Sequence, residues 1–121
     1  MSAAERLLYR ERPQLAIEVV REPRRMLVRL SGDFDMAGED AFREALDVLG
    51  EPAAAVLDLT EARFIDSTGL RLVLEAHRHL EELGAVVTMR ISQDGCVPRL
   101  LELTGLDAIL PVARRGGDSA A

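Results

Sequence analysis

The stretch Arg63-Phe64-Ile65-Asp66-Ser67-Thr68-Gly69-Leu70 decides the fold, because an apolar run ends there and a periodic helix begins. Asp66 is a preferred N-cap residue, and Ser67 and Thr68 then fall in the first helical turn. Gly84 stands where such a helix ends. One helical face is marked by side chains at three- and four-residue spacing, namely Leu70, Val73, Leu74, His77 and Leu80.

The first turn of this predicted helix can accommodate a phosphate group. Its backbone N–H groups have no partner within the helix, and the helix dipole adds partial positive charge. A phosphate on Ser67 or Thr68 would bring about 1.5 to 2 negative charges, beside Asp66 and near Asp33 and Asp35. Any partner that docks there would be affected. A plain helix cap uses the same residue types, so the cluster alone does not separate the two interpretations.

Composition indicates one compact domain that meets other proteins. The chain has 121 residues, 48% of them hydrophobic and 30% charged. No apolar run approaches the roughly 20 residues that span a bilayer, and the first fourteen residues carry charges where a signal peptide is apolar. We therefore expect a cytoplasmic protein without membrane insertion. The net charge of −6 argues against direct nucleic-acid binding and favours a basic protein surface as partner.

The order of elements predicts the fold class. Residues 1–14 lack a stable period and contain Pro13, so we expect an N-terminal arm, followed by a domain at 15–112 and a flexible tail at 113–121. The pattern predicts an α/β fold, with a mixed sheet opened by a hairpin and helices packed on it. Function is expected beyond the carboxyl ends of the parallel strands. The expected elements are strands at 15–20, 26–30, 54–59 and 85–91 and helices at 37–49, 66–83 and 95–104.

Three segments in this order resemble the STAS domains, and specifically the bacterial anti-sigma factor antagonists. They are residues 30–35 (LSGDFD), residues 56–59 (VLDL) with 64–70 (FIDSTGL), and residues 100–106 (LLELTGL). The resemblance covers residues 15–112, and the central segment is the most specific of the three. It implies a single STAS-like domain.

The resemblance also implies a function. In that family, the serine directly after the aspartate is phosphorylated by a partner that is both anti-sigma factor and serine kinase; by position this is Ser67. The unphosphorylated protein would bind the kinase and free the sigma factor, phosphorylation would switch binding off, and a phosphatase would reset the switch. No enzyme activity and no cofactor are implied. The implied partner-binding residues are Asp33, Asp35, Asp66, Ser67, Thr68, Gly69 and Leu70.

Other kinds of site fit the sequence less well. A serine hydrolase would need Ser67, a histidine and an aspartate, but the glycine-flanked nucleophile elbow is missing. His77 lies ten residues after Ser67 and is expected to be a hydrogen-bonded histidine at the core edge. No Walker-type loop with Lys suggests a nucleotide site. Two histidines and Cys96 show no metal-ligand spacing.

One alternative within the same fold stays open. The chain could be a STAS subunit of another assembly, either a stressosome component or the small subunit of a lipid-transport ATPase complex. Copurification with a transporter ATPase instead of a kinase would distinguish that role.

Overall fold

The computed structural model describes residues 4–115. This part of the chain forms a six-stranded sheet, three α-helices and two short 3₁₀-helices. The strands are β1 Glu5–Glu11, β2 Leu15–Glu22, β3 Arg25–Phe34, β4 Ala54–Ile65, β5 Val86–Ser92 and β6 Val112–Arg115. The α-helices are α1 Glu39–Leu49, α2 Ser67–Glu82 and α3 Cys96–Thr104, and the 3₁₀-helices are Met36–Gly38 and Leu106–Ala108.

The sheet is mixed, with its strands in chain order from β1 to β6. The pairs β1–β2 and β2–β3 are antiparallel, whereas β3, β4, β5 and β6 run parallel to one another. Each parallel strand is connected to the next through one of the three α-helices. The predicted α/β fold with a mixed sheet is therefore confirmed.

One face of the sheet packs on the helices and forms the core. Alternating strand residues and the apolar faces of the three helices belong to a single buried cluster, which includes Val28, Leu57, Met89, Phe42, Leu72 and Leu101. The strand residues between them point to the opposite face, which we call the open face. Its central positions are Glu18, Arg29, Asp58 and Arg90, which pair across neighbouring strands. No helix within residues 4–115 is both long and apolar enough to span a bilayer.

Helix α2 begins and ends as its sequence predicts. Asp66 is the N-cap residue, and the helix ends at Glu82 with Leu83 as C-cap, followed by Gly84 at a φ of 91°. The left-handed region favours glycine, which explains the stop. Pro98 is the third residue of α3, where the missing N–H costs no intrahelical hydrogen bond.

The expectation of an N-terminal arm over residues 1–14 is wrong for Glu5–Glu11, which form the edge strand β1. Leu8 is buried in the core at 9% exposure. The Arg10 side chain binds Glu44 of α1 at Nε–Oε1 2.9 Å and Nη2–Oε2 2.6 Å. An edge strand held by one buried side chain and ion pairs carries little periodic signal, which explains the error.

The expected C-terminal tail also needs a correction. Residues 113–115 belong to β6, which pairs with β5 through Met89 and Val112, among other positions. The rest of the expected tail, residues 116–121, and residues 1–3 of the expected arm lie outside the described residues.

Strand β4 continues to Ile65, although the sequence predicts its end at residue 59. Its residues in the core cluster are first two apart, at Ala55, Leu57 and Leu59, and then three apart, at Ala62 and Ile65. The change of spacing reflects two register shifts against β3. Each shift inserts one extra residue into β4, so a period-two pattern could not reveal the full strand.

Candidate functional site

The ends of β3 and β4 bring the sequence-predicted site residues to one edge of the sheet. Phe34 and Ile65 are paired in the parallel register, and Asp33 is paired with Phe64. The Asp66 nitrogen donates to the Phe34 carbonyl oxygen at 3.3 Å. The acidic segment after β3 and the start of α2 are therefore neighbours.

Asp66 and Ser67 define the centre of this site. The Asp66 backbone is extended, with φ −98° and ψ −174°, and its Oδ1 accepts a hydrogen bond from the Gly69 N–H at 2.8 Å. Ser67, the first residue of α2, is exposed. Within residues 4–115 neither its hydroxyl nor the N–H groups of Ser67 and Thr68 have a hydrogen-bond partner. The site therefore presents a free hydroxyl beside free backbone donors.

Asp33 and Asp35 supply negative charge at the same edge. Asp35 caps the 3₁₀-helix Met36–Gly38, because its Oδ1 accepts from the Ala37 N–H at 3.0 Å. The Asp33 side chain is 32% exposed and lies 3.6 Å from Nη2 of Arg63. Both carboxylates thus remain near the surface, and that of Asp35 also caps the 3₁₀-helix.

Gly69 has a packing role that the sequence interpretation did not anticipate. It is buried, and a Cβ atom there would meet the Phe34 carbonyl oxygen and would lie 2.9 Å from Cγ1 of Ile65. Glycine is required because the start of α2 sits directly on β3. Because Gly69 is buried, its predicted contact with a partner stays a prediction, while its packing role is direct. Leu70 is half-buried against the core, and Thr68 is half-buried as well.

Two large apolar side chains flank the site and were missed by the sequence interpretation. Met36, next to Asp35, is 70% exposed, and Phe64, three residues before Ser67, is 45% exposed. The extra residue that β4 inserts between Ala62 and Phe64 directs the Phe64 side chain away from the core.

The geometry does not assemble the other sites considered from the sequence. Because the Ser67 hydroxyl has no partner within residues 4–115, it forms no pair with a histidine there. The His77 side chain is 13% exposed, and its buried Nε2 atom lies 3.5 Å from Oε2 of Glu81 without a hydrogen bond to any described residue. The expectation of a hydrogen-bonded His77 is therefore wrong. No group of three or more metal-ligating side chains is found among the described residues.

Comparison with known sequences identifies relatives over most of the chain. A family sequence model described as "Mlab, STAS domain" matches residues 17–111. An anti-sigma F factor antagonist from Paenibacillus polymyxa is 30% identical over 101 residues, which cover 81% of this chain and 86% of that protein.

Solved structures share the fold. An anti-sigma factor antagonist from Mycobacterium paratuberculosis superposes with a TM-score of 0.73 at 24% identity, over 85% of this chain and 89% of that one. The Bacillus protein SpoIIAA in its phosphorylated form gives a TM-score of 0.62 at 19% identity, over 86% and 95% of the two chains. The unphosphorylated form gives 0.66 at 20% identity, over 86% and 91%. This chain therefore belongs to the STAS-domain family of anti-sigma factor antagonists.

Proposed function

We propose that this protein is an anti-sigma factor antagonist that acts by partner switching. Its unphosphorylated form binds an anti-sigma factor with serine kinase activity and frees the sigma factor. Phosphorylation at Ser67 switches that binding off, and a phosphatase restores it. The observation that carries the proposal is the exposed Ser67 hydroxyl at the start of α2, which has no hydrogen-bond partner within residues 4–115, in a chain 30% identical to a named antagonist.

The start of α2 suits a reversible phosphate. The backbone N–H groups of Ser67 and Thr68 have no acceptor within residues 4–115, and the helix dipole favours negative charge there. The domain should therefore keep its fold when Ser67 is phosphorylated. The structures of SpoIIAA in both states share this fold, which supports the same expectation for a related chain.

The cost of phosphorylation then falls on the complex. A phosphate adds about 1.5 to 2 negative charges and three acceptor oxygens. If a partner covers Ser67, the modified side chain must find extra space and lose its hydration, and it meets Asp66 and any acidic or phosphate group of the partner. A partner surface that fits the Ser67 hydroxyl should therefore bind much more weakly once Ser67 carries a phosphate.

The surface around Ser67 indicates what the partner must supply. Met36 and Phe64 offer exposed apolar area where β3 and β4 end, near the site. Asp33 and Asp35 add carboxylates between the strand ends. We infer that the partner presents an apolar patch with basic groups at its rim, because burying these side chains without such groups would leave charges unpaired. A cytoplasmic location is part of this proposal.

The alternative is a STAS subunit of another assembly, either a stressosome component or part of a lipid-transport ATPase complex. The fold and the family do not separate these roles from the antagonist. The exposed Ser67 favours the antagonist, since a phosphorylation switch needs a modifiable hydroxyl on the partner-facing surface.

Intact-mass analysis with fragment sequencing, on protein purified from its native cells with its bound partners, tests the proposal. A phosphate on Ser67 in part of the population, together with a bound ATP-dependent serine kinase that also binds a sigma factor, is the expected result. An unmodified Ser67 under all growth conditions, with a membrane-transport ATPase as the bound partner, would replace the antagonist with the alternative.

A further inference from the structure

Asp58, in the middle of β4, is a buried charge on the open face of the sheet. It is 4% exposed and is the one buried charged residue in the described part of the chain. Its Oδ1 atom accepts two hydrogen bonds from Thr60, one from the backbone N–H at 3.0 Å and one from the hydroxyl at 2.6 Å. The question is why a buried carboxylate accepts both of these hydrogen bonds from a residue two positions later in its own strand.

The explanation lies in the first register shift of β4. Arg29 is paired with Asp58, but the next pair is Ser31 with Glu61, so β4 carries one extra residue between these pairs. Such a bulge is rare between parallel strands and leaves a backbone group without its ladder partner. Thr60 lies within the bulge, and Asp58 accepts the hydrogen bond from its N–H. Asp58 therefore holds the extra residue in place.

The bulge determines what reaches the core beyond it. After Leu59 the next buried residues are Ala62 and Ile65, spaced by three instead of two. β4 carries a second extra residue between Ala62 and Phe64, and the two together return Ile65 to the core. If only the first were lost, the one-residue change of register would turn the following side chains, Ala62 and Ile65 among them, to the other face. Ile65 directly precedes Asp66, so the same change would displace the start of α2.

A row of alternating charges keeps Asp58 in position. Arg29 lies 3.6 Å from its Oδ2 through Nε and also donates from Nη1 to Glu18 at 3.0 Å. Arg90, on the other side, lies 3.9 Å from the same Oδ2. These side chains line a polar hollow of about 490 Å³ on the open face. The row orients Oδ2, while Oδ1 remains committed to Thr60.

We propose that Asp58 is a positioning residue for Ser67. By closing the bulge through Thr60, it sets the register that delivers Ile65 to the core and Ser67 to the surface. The role of Ser67 as the switch residue rests on the proposed function. The effect of Asp58 on the placement of Ser67 does not.

The test compares four variants of the full chain by backbone-amide NMR and hydrogen exchange. Asp58→Ala removes the acceptor, Thr60→Val removes one of its two donors, and Asp58→Asn keeps an acceptor oxygen. Glu18→Ala is the matched control, because it breaks the charge row on the same face without touching the bulge.

Asp58→Ala should speed exchange of the Thr60 amide by about tenfold. It should also move the amide signals of Ser67 and Gly69, which lie beyond the end of β4. Asp58→Asn should restore the Ser67 and Gly69 signals, Thr60→Val should move them less than Asp58→Ala does, and Glu18→Ala should leave them unchanged. Phosphorylation of Ser67 by the copurified kinase should slow only in the variants that move these signals.

The proposal is overturned if the signal changes in Asp58→Ala stay on residues next to the bulge, or if Glu18→Ala moves Ser67 and Gly69 equally. A uniform loss of protection over the whole sheet would also overturn it, because that pattern marks a general loss of stability. If native cells hold no phosphorylated Ser67, the proposed function fails while the NMR result still decides the role of Asp58.

Discussion

The Oδ1 atom of Asp66 accepts a hydrogen bond from the Gly69 N–H at 2.8 Å, which closes the first turn of α2. Since this bond satisfies a helix-end donor, Asp66→Ala should lower the free energy of unfolding by about 1 kcal/mol. Urea denaturation measures the change. Asp66→Asn is the control, because it retains the acceptor oxygen and removes only the charge. Equal losses in both variants would show that the charge, and not the cap, stabilises the helix.

Gly69 tests the close contact between α2 and β3. A Cβ atom at this position meets the Phe34 carbonyl oxygen and approaches Ile65, and backbone cannot move away as a flexible side chain can. Gly69→Ala should therefore destabilise the domain by about 1 to 3 kcal/mol, despite the higher helix propensity of alanine. The comparison variant is Arg78→Ala, at an exposed position of the same helix, which should stay within about 0.5 kcal/mol. A stabilised Gly69→Ala protein would refute the contact.

Met36 and Phe64 should matter for binding and not for folding. Both are exposed beside Ser67, so replacing either with serine removes apolar area only from a bound complex. We expect each change to weaken binding to the anti-sigma factor by about fivefold or more, the cost of losing a contact worth about 1 kcal/mol. Isothermal titration calorimetry with the purified partner measures the affinity.

The controls for this experiment are equally exposed but lie away from the site. Leu103 is 75% and Ile109 is 76% exposed, near the end of α3. Their serine variants should bind with wild-type affinity. If they weaken binding as much as the Met36 and Phe64 variants do, the partner contacts a different surface.

The parts of the fold that follow one repeating pattern were predictable from the sequence. Helix α2, with Asp66 at its start and Gly84 beyond its end, combines a cap, a three- and four-residue period and a stop signal, and each points to the same element. The mixed sheet followed from the order of such elements. The placement of Ser67 at the start of the helix followed from the cap.

The parts that depend on tertiary contacts were not predictable. The end of β4 was missed because its two extra residues break the alternation of the strand. The hydrogen bond from Thr60 to Asp58 stabilises the first of them, but the sequence around it looks like an ordinary buried strand. β1 was missed because its own residues show no alternation, although it pairs with the neighbouring β2 and its Arg10 binds Glu44 of α1. The exposure of Met36 and the burial of Gly69 likewise depend on how β3 meets α2, which a single periodic segment does not encode.

The most direct test of the account is the affinity of the purified anti-sigma factor for three forms of this protein: wild type, Ser67→Ala and phosphorylated at Ser67. All three should unfold at the same urea concentration, since the change lies on the exposed first turn of α2. Ser67→Ala should bind as tightly as unmodified wild type, and the phosphorylated form should bind at least tenfold more weakly. A fourth form, Ser67→Glu, should bind with an affinity between these two. Equal affinity for all of these forms would contradict the switch.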